Sequence, residues 1–149
     1  YMGKVKMIYI DPPYNTGNDF VYHDDFAHTA AEEDFEAGNV DELGYRFRKN
    51  TDTNGKFHSD WCSMIYTRLL VARSLLAEDG VIFISIDDNE VRNLRNICDE
   101  VFGEHNFVAQ LVWERAYSPK NDAKYISNSH DYILMFAKQI EDFTIGRLE

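Results

Sequence analysis

One stretch constrains the fold more than any other. Val81-Ile82-Phe83-Ile84-Ser85-Ile86 is an unbroken apolar run in place of an alternating one. That is the pattern of a strand buried on both faces of a parallel sheet. The flanking patterns agree with it. Val5 to Ile10 is a short run rich in β-branched and aromatic residues, stopped by Asp11-Pro12-Pro13, since neither proline can donate to a ladder. Trp61, Ile65, Leu69, Ala72 and Leu76 form one apolar stripe of a helix. Ser59 is placed to cap that helix, and Ala77-Glu78-Asp79-Gly80 to end it with Gly80 in a left-handed position. A second helix turns Val91, Leu94, Ile97 and Val101 inward and closes at Gly103, with Asp87 as its cap and Glu90 in capping-box spacing. Phe107 to Trp113 and Asp131 to Ala137 read as further strands, separated by a polar loop from Ala116 to Ser129. Strands alternating with helices predict an α/β fold: a partial Rossmann-like open sheet, mostly parallel, with helices on both faces. In such sheets ligands bind at the carboxyl ends of the strands. The segments that start at Asp11 and Asp87 both fall there.

Length and charge narrow the function. At 149 residues the chain is one domain or a piece of one, and 44% hydrophobic with 14% aromatic residues supplies a core. No apolar run approaches a membrane span, and mean hydropathy is −0.45. Cys62 and Cys98 lie far apart in helical patterns, which argues against a disulfide scaffold or a zinc site, and the five histidines show no metal-ligand spacing. Without a leader pattern at the start, a reducing, cytoplasmic setting is expected. The net charge is −11. A stretch this acidic repels duplex DNA at long range, so it does not read as a self-sufficient DNA-binding domain. Asp19, Asp24, Asp25, Glu32, Glu33, Asp34, Glu36, Asp41 and Glu42 crowd residues 19–42, which hold no Lys or Arg. That is the pattern of a solvated acidic loop, or of a surface for a basic partner. Residues 15–58 form a long loop or insertion without strong periodicity, with some helix expected around Thr29 to Ala37. Tyr1 at the start and Gly146-Arg147-Leu148-Glu149 at the end read as cut points, the last two residues resembling a cloning scar.

The chemistry concentrates in Asp11-Pro12-Pro13-Tyr14. Two prolines stiffen the turn and leave the carbonyl of Pro12 unclaimed by a ladder. Asp11 adds a carboxylate. Two acceptors side by side suit an exocyclic amine, which has two hydrogens to donate. Tyr14 offers a flat face for an aromatic ring. The set describes a receptor for an aromatic amine such as a flipped adenine.

These residues resemble the amino-methylating DNA methyltransferases that use S-adenosyl-L-methionine (AdoMet). The likeness extends through Asn15-Thr16-Gly17-Asn18-Asp19-Phe20, Phe57-His58-Ser59-Asp60-Trp61, Asp79 to Glu90, Ser118 to Lys124 and His130-Asp131-Tyr132-Ile133-Leu134. Its style is similar to the modification subunit of type III restriction-modification systems. The resemblance implies a DNA adenine-N6 methyltransferase whose substrate is double-stranded DNA with a flipped adenine. It implies catalytic roles for Asp11, Pro12 and Tyr14, with Asp11 near the methyl group of the cofactor. Substrate-binding roles follow for Pro13, Asn15, His130 and Tyr132. Asp at the first motif position favours adenine, where Ser would suggest N4 of cytosine. A restriction subunit and a second modification subunit are the implied partners, in a bacterial cytoplasm.

The family's Gly-x-Gly loop for AdoMet is missing from this sequence. Residues 1–149 therefore read as the catalytic half of the domain, with the cofactor loop and target-recognition region elsewhere, and are expected to be inactive alone. An apolar strand edge beside the first strand would then be left open. Two other readings remain: a methyltransferase for an amino group in RNA or protein, which more often shows Asn before Pro-Pro-Tyr, and a non-catalytic acidic protein-binding module.

Overall fold

The computed structural model describes residues 1–17, 20–23, 46–49, 51, 55–115 and 129–146. Strand β1 (Val5–Ile10) leads into the Asp11 loop. Two short strands, β2 (Phe20–His23) and β3 (Arg46–Lys49), pair antiparallel as a separate ribbon. Helix α1 (Phe57–Leu75) is followed directly by the long strand β4 (Leu76–Ile86). Helix α2 (Val91–Phe102) and a single 3₁₀ turn (Glu104–Asn106) then lead to β5 (Phe107–Glu114) and β6 (His130–Ala137).

The main sheet has the order β1-β4-β6-β5. β1 and β4 run parallel, as expected of strands joined through a helix. The other two pairings, β4 with β6 and β6 with β5, are antiparallel. The sheet is thus mixed, and the expectation of a mostly parallel one holds only for its first pair. β5 and β6 are neighbours in sequence and pair as a hairpin across residues 115–129, so no helical crossover is needed to reverse direction. The expected strands are all present, and the open edge beside β1 is found among the described residues.

Both described helices lie on one face. Trp61, Ile65 and Leu69 of α1 and Leu94, Cys98, Val101 and Phe102 of α2 close over Ile82, Ile84 and Ile86 of β4 and Leu134 and Phe136 of β6. The opposite face carries no described helix, and Met7 and Tyr9 of β1 stand 61% and 53% exposed there. Helices on both faces, as expected, are therefore not seen among the described residues. Fully burying one of these aliphatic or aromatic side chains contributes about 1.5–3 kcal/mol, so the one-sided core accounts for most of the packing.

Three local expectations are corrected. Helix α1 begins at Phe57, with Lys56 in the capping position; the Ser59 hydroxyl lies inside the first turn and donates to the Lys56 carbonyl. Gly80 does not terminate the helix. It lies within β4, in a four-residue bulge between the Val5–Leu76 and Met7–Val81 pairings. There a Cβ would stand 2.8 Å from the Ala77 carbonyl oxygen and 3.0 Å from that of Val5. Glu90 does not close a capping box, because its side chain makes no cap bond to α2. Gly103 does end α2, at φ 95°, a left-handed value that favours glycine. The helix expected near Thr29 to Ala37 and the Ala116 to Ser129 loop lie, wholly or nearly so, outside the described residues.

Candidate active site

Side chains alternate across a strand, so one face of the sheet collects Tyr9 and then Asp11 from β1, Phe83 and Ser85 from β4, and Asp131 and Ile133 from β6. At the carboxyl ends of β1 and β4 this face forms an open hollow of about 320 Å³, lined by Tyr9, Asp11, Tyr14, Ser85, Trp113, Asp131 and Ile133. The position matches the general rule for open α/β sheets.

The Ser85 hydroxyl is 2.5 Å from Oδ1 of Asp11 and 3.3 Å from the carbonyl oxygen of Ile10. A hydroxyl has one proton, and the shorter contact to the carboxylate takes it. One oxygen of Asp11 is thus held by the neighbouring strand. Tyr14 is half-buried beside both groups. Burial is the main cause that raises its phenol above the usual tyrosine range; the charges of Asp11 and Asp131 add to this, and a hydrogen bond with Ser85 opposes it. Tyr14 is therefore neutral at physiological pH and keeps an uncharged ring face in the hollow. Asp131, which the sequence reading did not single out, places a second carboxylate there and pairs with Arg115 at 3.2 Å.

The structure brings together Asp11 and Tyr14, and only these two of the expected residues line the hollow. Pro12 is half-buried in the same loop. The Pro13 carbonyl accepts a hydrogen bond of 2.7 Å from Nε1 of Trp61, so this residue anchors the loop to α1. Asn15, expected to bind substrate, is buried and turned away from the hollow. His130 and Tyr132, also expected there, point the other way. Tyr132 packs against the helix-covered core and bonds to Asp88, and Nε2 of His130 lies 3.0 Å from its hydroxyl. The reason is the two-residue period of β6: if Tyr132 and Leu134 face the helices, Asp131 and Ile133 must face the hollow. Asp87 folds into a turn in which Oδ1 accepts from the Asn89 backbone at 2.9 Å.

Behind the loop lies a polar cluster that the sequence reading missed. Glu90 is fully buried. Its Oε1 accepts from Nδ2 of Asn15 at 2.5 Å and lies 2.5 Å from Nδ1 of His58; its Oε2 accepts from Nδ2 of Asn93 at 2.7 Å. Asn15 itself sits at φ 58°, in the left-handed region that asparagine tolerates better than most residues. No group of three metal-ligating side chains gathers among the described residues, and none of their helices is long and apolar enough to cross a membrane.

Comparisons with known proteins follow the same geometry. The chain is 48% identical over 142 residues to the type III restriction-modification enzyme EcoP15I Mod subunit of Escherichia coli, covering 95% of this chain and 22% of that protein. It is 46% identical over 150 residues to the EcoPI Mod subunit of Escherichia phage P1, covering 100% of this chain and 23% of the relative. The type II methyltransferase M.KpnI of Klebsiella pneumoniae is 34% identical over 134 residues, with 90% and 27% covered. The chain therefore spans less than a third of the length of these relatives. Among solved structures, the PvuII DNA methyltransferase (cytosine-N4-specific) superposes with a TM-score of 0.55 at 12% identity, over 93% of this chain and 44% of that one, a likeness of fold. The family model described as DNA methylase matches residues 5–145, and the chain belongs to that family.

Proposed function

We propose that residues 1–149 are the catalytic half of a DNA adenine-N6 methyltransferase of a type III restriction-modification system, with AdoMet as methyl donor. One observation carries this reading. The Asp11-Pro12-Pro13-Tyr14 loop stands at the carboxyl end of β1 with Asp11 held by Ser85 and Tyr14 in the same hollow. The names of the Mod-subunit relatives support the system, and the aspartate at the first motif position supports adenine over cytosine. Residues 15–58 are then an insertion within that half of the sequence. Double-stranded DNA with a flipped adenine, a restriction subunit and a second modification subunit are the partners, in a bacterial cytoplasm.

The hollow fits the donor and the base. Carboxylates from Asp11 and Asp131 favour a cationic sulfonium, and the rings of Tyr9, Tyr14 and Trp113 favour a flat purine. When bound, AdoMet supplies an electrophilic methyl group. The chain's own residues then do three things. Asp11 and the Pro12 carbonyl accept the two hydrogens of adenine N6, which draws the nitrogen lone pair out of the ring. Tyr14 stacks on the extruded base and replaces the neighbours it lost in the duplex. Asp11 takes the proton that N6 must release once its new bond to carbon has formed. The rate comes from positioning and fixed electrostatics.

The test is the identity of the product. Full-length protein is incubated with AdoMet and unmethylated bacterial DNA, and the digested nucleosides are separated by mass. N6-methyladenine alone is the expected result. N4-methylcytosine would overturn the base assignment. No methylated nucleoside, or methylation of RNA or protein instead, would overturn the reading.

A further inference from the structure

The buried carboxylate of Glu90 has no part in the chemistry above, yet it ties together three separate segments. Asn15 belongs to the loop that carries Asp11 and Tyr14, His58 to the first turn of α1, and Asn93 to the first turn of α2. A carboxylate that is 0% exposed is costly unless its lone pairs are filled, and here both oxygens are occupied. The link to the loop passes through the residue directly after Tyr14, whose backbone is held at φ 58°. The Pro13 carbonyl, two residues after Asp11, is fixed at the same time by Trp61 of α1. The loop is thus tied down immediately behind the residues that face the hollow.

We propose that Glu90 is a positioning residue for methyl transfer: through Asn15 it sets the place of the Asp11–Tyr14 loop without touching substrate. This rests on the methyltransferase reading. The sequence spacing that suggests a helix cap for Glu90 hides this role, because the side chain turns inward toward Asn15 instead of back along α2. A misplacement of about 1 Å in a catalytic loop can cost on the order of 100-fold in rate, so losing the link should act on turnover.

Two variants of the full-length protein test it, with turnover expressed per active site from the pre-steady-state burst. Asn15→Gly keeps the left-handed backbone and removes the amide that reaches Glu90, together with its longer 3.5 Å contact to the Phe57 carbonyl. It should lower kcat by about 10–100-fold with the KM values for DNA and AdoMet within about threefold of the parent. Glu90→Gln should stay within about threefold in kcat, since the Gln carbonyl can still accept from Asn15 and His58 while Asn93 turns its own oxygen to the new amide. A kcat for Asn15→Gly within twofold of the parent overturns the proposal. So does a loss confined to the KM for DNA, which would make Asn15 a substrate contact, and so does a loss confined to the number of active sites, which would make the network merely structural. An inactive parent protein would instead count against the methyltransferase reading itself.

Discussion

At the residue scale the centre of the molecule is the pair Asp11 and Ser85. An aspartate at the end of a strand can adopt several rotamers, and only those that face the hollow bring it to an amine there. The hydroxyl of Ser85, on the adjacent parallel strand, removes that freedom by holding Oδ1. The Tyr14 hydroxyl also hydrogen-bonds to this carboxylate. Ser85→Ala should therefore lower kcat about tenfold while leaving the KM values nearly unchanged, and should also lower the unfolding midpoint, because one hydrogen bond to a charged group contributes about 1.5–3 kcal/mol to stability. Single-turnover kinetics of the variant check this, and an unchanged rate would contradict it. Asp11 and Tyr14 were legible in the sequence because the motif is contiguous and its strand-then-loop setting is local. Ser85, Asp131 and Trp113 were not, because their approach to Asp11 depends on which strands pair and in what register. That His130 and Tyr132, expected to bind substrate, lie outside the lining of the hollow was not legible for the same reason. A one-residue error in phase moves every side chain of a strand to the other side of the sheet.

At the element scale, β4 organises the fold. It pairs with β1 on one side and β6 on the other, and Leu76, Ile82, Ile84 and Ile86 form the floor on which α1 and α2 pack. Its apolar run identified it from sequence, and the stripe from Trp61 to Ala72 identified α1. The directions of the pairings were not legible, since a buried strand has the same composition whichever way its neighbour runs. Strands β2 and β3 were missed because four-residue segments inside a long polar stretch carry too few positions to show a period. The bulge at Gly80 is the point where β4 adjusts to the end of β1. Lys6 and Asp79 pair across it, and Lys138 donates its backbone N–H to the Gly80 carbonyl. Because the nearest atoms to an added Cβ are backbone oxygens, Gly80→Ala must displace main chain. It should cost about 1–3 kcal/mol. Urea unfolding followed by circular dichroism would read this as a lower midpoint with an unchanged slope. An unaltered midpoint would show that the bulge is slack.

At the scale of the whole molecule, charge and exposure divide the work. With a net charge of −11, this stretch is unsuited to gripping a phosphate backbone. The chain spans under a quarter of the length of the Mod-subunit relatives. The exposed Met7 and Tyr9 lie on the same sheet face as the hollow. The one-sided placement of the described helices could be learned only from the structure.

Under the proposed function, the role of Asp11 is the chemistry on adenine. Its most direct test is tritium transfer from labelled AdoMet to unmethylated bacterial DNA by the full-length protein, beside an Asp11→Ala variant whose DNA binding is measured in parallel. The expected result is N6-methyladenine from the parent and a loss of at least about 100-fold in the variant, with DNA binding retained. Transfer at the parental rate by Asp11→Ala would contradict the claim.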